Sequence, residues 1–177
     1  AELDGVPIAQ FHLGGHCEDD FRNTDLLVVS PAVKPANRFL QIAAEAGVPR
    51  TSEIELFLNQ CRGRVIGVTG SNGKSTTAAM TAAILRADGR RTWLGGNIGV
   101  SLLDQLDQIG PNDWAVLELS SFQLWYLSAD ARWPEVAVVT NCTPNHLNWH
   151  GTFEHYAAAK QRLLTEQAPD ALAVLNP

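Results

Sequence analysis

The stretch that decides the fold is VIGVTGSNGKSTT, at residues 65–77. An apolar strand runs into a glycine turn, and a lysine and a serine then open a helix. Gly70 and Gly73 allow backbone N–H groups to wrap closely around an anion, and the helix start adds the positive end of its dipole. At this spacing Lys74 suits the β- and γ-phosphates of a nucleotide, and the Ser75 hydroxyl suits Mg²⁺. The stretch therefore predicts a phosphate-binding loop.

The loop is a variant of the usual pattern. The strict GxxxxGK[ST] spacing would put a glycine at position 68, where this chain has Val68. The alternative is a glycine-rich turn with a surface lysine, but the strand–loop–helix context favours phosphate binding. We assign to the nucleotide the residues Gly70, Ser71, Asn72, Gly73, Lys74, Ser75 and Thr76.

Strands and helices alternate outward from this loop. Beyond a connection at residues 61–64, the predicted strands are 65–69, 91–94, 114–119, 136–140 and 171–175, and the predicted helices are 75–87, 100–109 and 152–167. Before it we predict a buried strand at 26–30 and helices at 36–46 and from 51 or 52 to 59. The alternation predicts an α/β fold with a mainly parallel sheet, whose ligands bind beyond the carboxyl ends of the strands.

Composition excludes several classes of protein. The 177 residues are 45% hydrophobic, which is enough to bury a core, and the net charge of −6 argues against general nucleic-acid or anionic-membrane binding. No apolar run approaches the ~18 residues of a membrane helix, so we expect no membrane insertion. The three cysteines are scattered, which is typical of a reducing cytoplasm rather than a disulfide scaffold or zinc ribbon. Because the chain begins at Ala1 and stops just after an apolar run, we expect a piece of a longer protein.

Three polar side chains interrupt apolar elements or follow them. Glu118 lies near the end of the buried-type strand WAVLEL, where a carboxylate either ligates a metal such as Mg²⁺, pairs with an arginine or faces solvent. Lys160 falls within the apolar stripe of its helix and must extend to solvent, pair, lose its charge or be modified. His146 follows the strand VAVVTN, and we favour it over His150 and His155 as the functional histidine.

Four strings in fixed order resemble the Mur ligases, the ATP-dependent amide-forming enzymes of peptidoglycan synthesis. They are GVTGSNGKST, GGNIG, LELSSFQL and TNCTPNHLNWHGTFEHYAAAK, within residues 65–175. The string at 118–124 is similar to the branch of the family that adds D-glutamate to UDP-N-acetylmuramoyl-L-alanine. LLVVSPAV and TSEIELF extend the resemblance, more weakly, toward the first segment.

The resemblance implies a monomeric cytoplasmic enzyme of three domains that uses ATP and Mg²⁺. Residues 1–62 would be the rear part of a Rossmann-like N-terminal domain that binds the UDP substrate. Residues 63–177 would be the front part of the central ATP-binding domain, and the C-terminal amino-acid-binding domain would be absent. The implied partners are UDP-N-acetylmuramoyl-L-alanine and D-glutamate, joined through an acyl phosphate, with no nucleic acid. The excerpt alone would be inactive.

The resemblance also implies residue roles. Lys74, His146 and Lys160 would be catalytic, with Lys160 carbamylated and therefore anionic. Mg²⁺ ligands would be Ser75, Glu118, His146 and Lys160. Residues near the substrate would be Asn97, Ser120, Gln123 and His146 at the muramoyl group and Ser30 and Pro31 at the uridine diphosphate.

The loop around His146 departs from the family pattern, because Pro144, Asn145, Asn148 and Trp149 replace carboxylates and an arginine. Other hypotheses stay open. The chain also fits a folylpolyglutamate synthase, another Mur ligase, or a fragment that binds ATP without catalysis. A phosphate-loop kinase or GTPase is disfavoured, because the strand carries a glutamate rather than a Walker-type aspartate and no guanine-reading NKxD occurs.

Overall fold

The computed structural model describes residues 5–99 and 101–176. Its helices are α1 (Glu18–Arg22), α2 (Arg38–Glu45), α3 (Glu53–Gln60), α4 (Lys74–Ala87), α5 (Ser121–Tyr126), α6 (Leu147–His150) and α7 (Phe153–Thr165). Its strands are β1 (Leu27–Val28), β2 (Arg50–Thr51), β3 (Arg64–Thr69), β4 (Thr92–Gly96), β5 (Trp114–Glu118), β6 (Val136–Val139) and β7 (Leu172–Leu175). A 3₁₀ helix spans Leu103–Gln108.

The chain forms two compact units. The smaller holds the described residues up to Leu27 together with Pro35–Arg50, and the larger holds Val28–Lys34 and the described residues from Thr51 onward. In the smaller unit α1 packs against α2, and the rings of Phe21 and Phe39 stack with centroids 4.8 Å apart. All residues that the sequence predicts for the site belong to the larger unit.

The larger unit is built on a parallel sheet in the order β4-β5-β3-β6-β7. From β3 the chain winds first toward β4 and β5, and then crosses to β6 and β7 on the other side. The winding direction therefore reverses at β3, and a crevice opens at the carboxyl ends of the strands around such a point. This arrangement confirms the predicted α/β class and parallel sheet.

Alternating residues of the central strands face two different cores. Val65 and Leu117 point into one core, which also holds Phe57 of α3 and Leu163 of α7. On the opposite face, Ile66, Val68, Trp114 and Val116 pack against the small residues Ala78 and Ala82 of α4. Both faces of the sheet are covered, which is why β3 and β5 read as nearly continuous apolar runs.

Two predicted elements differ in the structure, and α1, α5, α6 and β2 were not predicted. The strand predicted at 26–30 has two residues and pairs only with the two-residue β2. Val28 is exposed, whereas Val29 just after it is buried as predicted. The helix predicted at 100–109 is a 3₁₀ helix in its described part, and Val100 lies outside the described residues. Leucines and isoleucine recur there at every third position, 103, 106 and 109, which matches three residues per turn.

The buried face of α4 also differs from the one that helical spacing predicts, which carries Met80, Ala83, Ile84 and Ala87. Met80 and Ile84 keep helical spacing but are 59% and 65% exposed, whereas Ala78 and Ala82 are buried. Small side chains let the helix approach the sheet closely at the start of the phosphate loop, so the larger ones lie on the outer side.

Candidate active site

The phosphate loop connects β3 to α4 and is fixed by the segment that follows β6. Gly70 has φ +153° and Gly73, at the N-cap of α4, has φ +80°. The side-chain oxygen of Asn141 accepts the N–H groups of Ser71 at 3.2 Å and Asn72 at 2.9 Å. Hydrogen bonds from within the protein therefore hold the shape of the loop, with the N-terminal N–H groups of α4 at its end.

Gly70 is the position where the loop tolerates no side chain. A Cβ built there would lie 1.9 Å from Oγ1 of Thr140, whose hydroxyl donates to the carbonyl of Asn72 at 2.6 Å. We expect Gly70→Ala to lower the free energy of unfolding by about 2 kcal/mol more than Gly89→Ala. Gly89 also has positive φ but open space around it, so it serves as the reference for a glycine without a close neighbour. Thermal unfolding measures both, and equal shifts would contradict the expectation.

Glu118 is buried and is bonded to polar neighbours from two elements. Its carboxylate accepts from the hydroxyl of Ser75 at 2.6 Å and from the side-chain amide of Asn97 at 2.8 Å. The side chain is only 2% exposed, so the solvent-facing alternative does not apply. The carboxylate thus lies directly beside the first turn of α4, where Ser75 is predicted to bind Mg²⁺.

Lys160 lies under the phosphate loop. It is 3% exposed, and its ammonium donates to the carbonyl of Gly70 at 2.8 Å and to the hydroxyl of Thr69 at 3.3 Å. Burial, and after it the charge of Lys74, lowers the pKa of Lys160 to about 8. The burial of Lys160 excludes extension to solvent. Its lowered pKa makes the neutral amine easier to reach at pH 7 than in an exposed lysine.

His146 stands at the N-cap of α6 with φ +53°, the one non-glycine residue with positive φ in the described chain. Such backbone is uncommon outside glycine and frequent at functional sites. Its ring lies 4.8 Å from the ring of Phe122, and the pKa of His146 is lowered by desolvation and then by the positive charges of Lys160 and Lys74. A neutral imidazole is the form that can bind a metal.

Five of the predicted residues meet at one opening. A cavity of about 150 Å³ is lined by Lys74, Asn97, Ser120, His146 and Lys160. Glu118 joins this group through its bond to Asn97. The residues thus come from the start of α4, from the ends of β4 and β5, from the loop after β6 and from α7. Apart from Lys160 of α7, they lie at the carboxyl edge of the sheet, as expected for a parallel sheet.

A second cavity, of about 450 Å³, adjoins the first and shares Asn97, Ser120 and His146 with it. Ser30 and Pro31 lie on its wall, so the predicted uridine-diphosphate and muramoyl residues line one space. Gln123 differs from this group. Its side-chain oxygen accepts from the backbone N–H of Ser120 at 3.0 Å, and it closes a capping box at the start of α5 rather than facing the cavity.

The sequence analysis missed several residues of this site. Tyr156 donates to or accepts from the hydroxyl of Ser71 at 2.9 Å, and Ser121 lines the smaller cavity. His150, treated as structural, lies with its Nε2 2.9 Å from Oγ of Ser121. Only the capping-box pattern Ser-x-x-Gln would have revealed α5, since the other contacts join residues far apart in the chain.

Comparison with known proteins identifies this arrangement. The Mur ligase middle domain matches residues 68–177, which carry the phosphate loop, Glu118, His146 and Lys160. The chain belongs to the Mur ligase family. None of the helices in the described ranges has the length and hydropathy to cross a membrane.

Relatives within the Mur ligase family carry one recurring name. The chain is 42% identical over 174 residues to a UDP-N-acetylmuramoylalanine–D-glutamate ligase of Roseiflexus sp. (strain RS-1), covering 98% of this chain and 37% of the relative. It is 44% identical over 163 residues to the protein of that name from Koribacter versatilis (strain Ellin345), covering 92% of this chain and 36% of the relative. The chain thus spans a little over a third of these Mur ligases.

Solved Mur ligases share the fold. The UDP-N-acetylmuramate:L-alanyl-γ-D-glutamyl-meso-diaminopimelate ligase of Neisseria meningitides superposes with a TM-score of 0.58 at 20% identity, over 90% of this chain and 54% of that one. The MurF ligase of Thermotoga maritima, solved in complex with ADP, gives 0.52 at 21% identity, over 88% of this chain and 46% of that one. At these identities the likeness concerns the fold.

Proposed function

We propose that the full-length protein is an ATP-dependent ligase that adds D-glutamate to UDP-N-acetylmuramoyl-L-alanine. The observation that carries the proposal is the shared cavity of Lys74, Asn97, Ser120, His146 and Lys160 beside a phosphate loop that Asn141 holds in shape. The D-glutamate ligase name of relatives at 42% and 44% identity supports the choice of substrates. We also propose that residues 1–62 belong to the UDP-binding domain and residues 63–177 to the ATP-binding domain.

The proposed reaction has two steps. A carboxylate does not react with an amine at neutral pH, because oxide would have to leave. The carboxylate of the alanyl group first attacks the γ-phosphorus of ATP, which gives an acyl phosphate and ADP. The D-glutamate amine then attacks the acyl carbon, so that an amide and phosphate form and the amine loses a proton. The overall products are the amide, ADP and phosphate.

The chain contributes mainly position and charge to the first step. The N–H groups at the start of α4 and the ammonium of Lys74 face the phosphates and offset the negative charge that develops during transfer. Asn97 and Ser120, on the wall shared by both cavities, orient the attacking carboxylate. Alignment of the two reactants is the larger part of catalysis in phosphoryl transfer.

The donors around Glu118 fit Mg²⁺. The hydroxyl of Ser75 and a carboxylate oxygen lie 2.6 Å apart, and hard oxygen ligands of this kind are the ones that Mg²⁺ prefers. Ser75 and Glu118 would hold one ion, and His146 with a carbamylated Lys160 a second. When bound, Mg²⁺ would neutralise part of the negative charge of the phosphates.

We expect Glu118→Gln to raise the Mg²⁺ concentration needed for half-maximal ADP release by about tenfold or more. The amide removes the negative charge and keeps the size of the side chain. A Mg²⁺ titration of the full-length protein measures the effect. Glu53→Gln is the control, because Glu53 is a glutamate bonded to Ser101 outside the cavities. An unchanged titration for Glu118→Gln would contradict the metal role.

The proposed function is tested by coupled ADP release from the full-length protein with ATP and UDP-N-acetylmuramoyl-L-alanine. We expect release with D-glutamate and little with L-glutamate. Release with a different amino acid would indicate another Mur ligase, and release with a folate acceptor a folylpolyglutamate synthase. Nucleotide binding without release for any acceptor would indicate a protein that only binds ATP.

A further inference from the structure

A hydrogen-bonded chain of three side chains leads from the surface of α7 to the wall of the smaller cavity. Nδ1 of His155 lies 2.9 Å from Nδ1 of His150, and Nε2 of His150 lies 2.9 Å from Oγ of Ser121. Ser121 in turn lines the cavity beside Lys74, His146 and Lys160. This series of hydrogen bonds therefore joins α7, α6 and the first residue of α5.

The central imidazole is held on several sides. His150 is 6% exposed, its ring stacks on Phe122 at 10° with centroids 5.5 Å apart, and Trp149 lies 4.5 Å from it. A buried ring nitrogen without a partner is costly, and here each nitrogen has one. Packing and hydrogen bonding together leave this ring one orientation.

The hydroxyl of Ser121 is fixed as a result. A neutral imidazole has one donor and one acceptor nitrogen. The hydrogen bonds from His155 through His150 to Ser121 therefore all run in one direction or all in the other. In either direction the Ser121 hydroxyl makes one hydrogen bond to His150. That bond sets the direction in which the hydroxyl can make its other hydrogen bonds. Ser121 itself is 2% exposed, so it cannot turn to bulk water.

We propose that His150, supported by His155, is a positioning residue that aims the Ser121 hydroxyl at the muramoyl substrate in the cavity. The inference rests on the proposed function, because its kinetic readout is the ligase reaction. It adds Ser121 as a substrate-binding group and assigns the two histidines a role that does not involve contact with the reactants.

A double-mutant cycle in the full-length protein tests the proposal. We expect Ser121→Ala and His150→Ala each to lower kcat/KM for UDP-N-acetylmuramoyl-L-alanine about tenfold, the worth of one neutral hydrogen bond. The double variant should lose no more than about tenfold, because both changes remove one interaction. KM for ATP should stay within about twofold. Ser101→Ala, which removes an exposed serine bonded to Glu53, should leave kcat/KM unchanged.

Rescue and stability measurements separate positioning from a structural role. Because a glutamine amide reaches about as far as the imidazole Nε2, His150→Gln should recover most of kcat/KM even where its thermal midpoint stays low. Losses that multiply to about a hundredfold in the double variant, or an unaffected Ser121→Ala, would overturn the proposal. Absence of ADP release from the unmodified protein would instead count against the proposed function itself.

Discussion

Lys74→Ala in the full-length protein should reduce ADP release by a factor of about 10² to 10³. The lysine is the first residue of α4, lines the cavity, and donates to the carbonyl of Ser71 at 3.3 Å, so its ammonium lies over the loop. Removing one preorganised charge from such a site raises the barrier by roughly 2.7–4 kcal/mol. Steady-state ADP release at saturating ATP measures the loss.

The control for Lys74→Ala is Arg90→Ala. It also removes one positive charge, but from an exposed side chain that pairs with Asp88. We expect its ADP release to match the unmodified protein, and both variants to keep their far-UV circular dichroism. Turnover near normal in folded Lys74→Ala would refute the phosphate role of this lysine.

Lys160→Ala should lose about a hundredfold or more in activity, and small carboxylic acids such as acetate or propionate should restore part of it. The reason is the proposed carbamate: the neutral amine attacks CO₂, one proton leaves, and a carboxylate group remains on nitrogen. The carbamate nitrogen keeps one N–H, so it still donates to one of the two present acceptors, Gly70 or Thr69. The added acid would supply the missing carboxylate in the space left by the side chain.

Two measurements check the carbamate at Lys160. Labelling with ¹³C-bicarbonate should give a carbamate carbonyl signal that disappears in Lys160→Ala. The same acids should leave Lys74→Ala inactive, since that variant lacks a cation rather than an anion. Full activity of Lys160→Ala without any additive would argue against a carbamate.

The parts of the site that depend on neighbouring residues in sequence could be predicted. The strand, glycine turn and helix at 65–77 depend mainly on residues close to one another in sequence, so the residue pattern of that stretch predicts them. Lys160 was noticeable because a lysine within an apolar helical stripe conflicts with the pattern around it, and the structure buries it. The parallel direction of the strands could be predicted from their alternation with helices.

The remaining parts depend on contacts that no spacing shows. The bond between His150 and Ser121 joins residues 29 positions apart, and that between Asn141 and Asn72 joins residues 69 apart. The exposure of Met80 and Ile84 reflects how closely α4 approaches the sheet, which helical periodicity does not determine. Likewise, the apolar character of residues 26–30 does not reveal that their partner strand has only two residues.

The segment at residues 140–143 has two attachments. Thr140, Asn141 and Thr143 bond the phosphate loop, and the chain reaches His146 three residues after Thr143. The phosphate loop and the imidazole are therefore joined by a short, hydrogen-bonded connection. If a nucleotide bound at the loop changes the affinity of a ligand beside His146, thermodynamic reciprocity requires that ligand to change the nucleotide's affinity by the same factor.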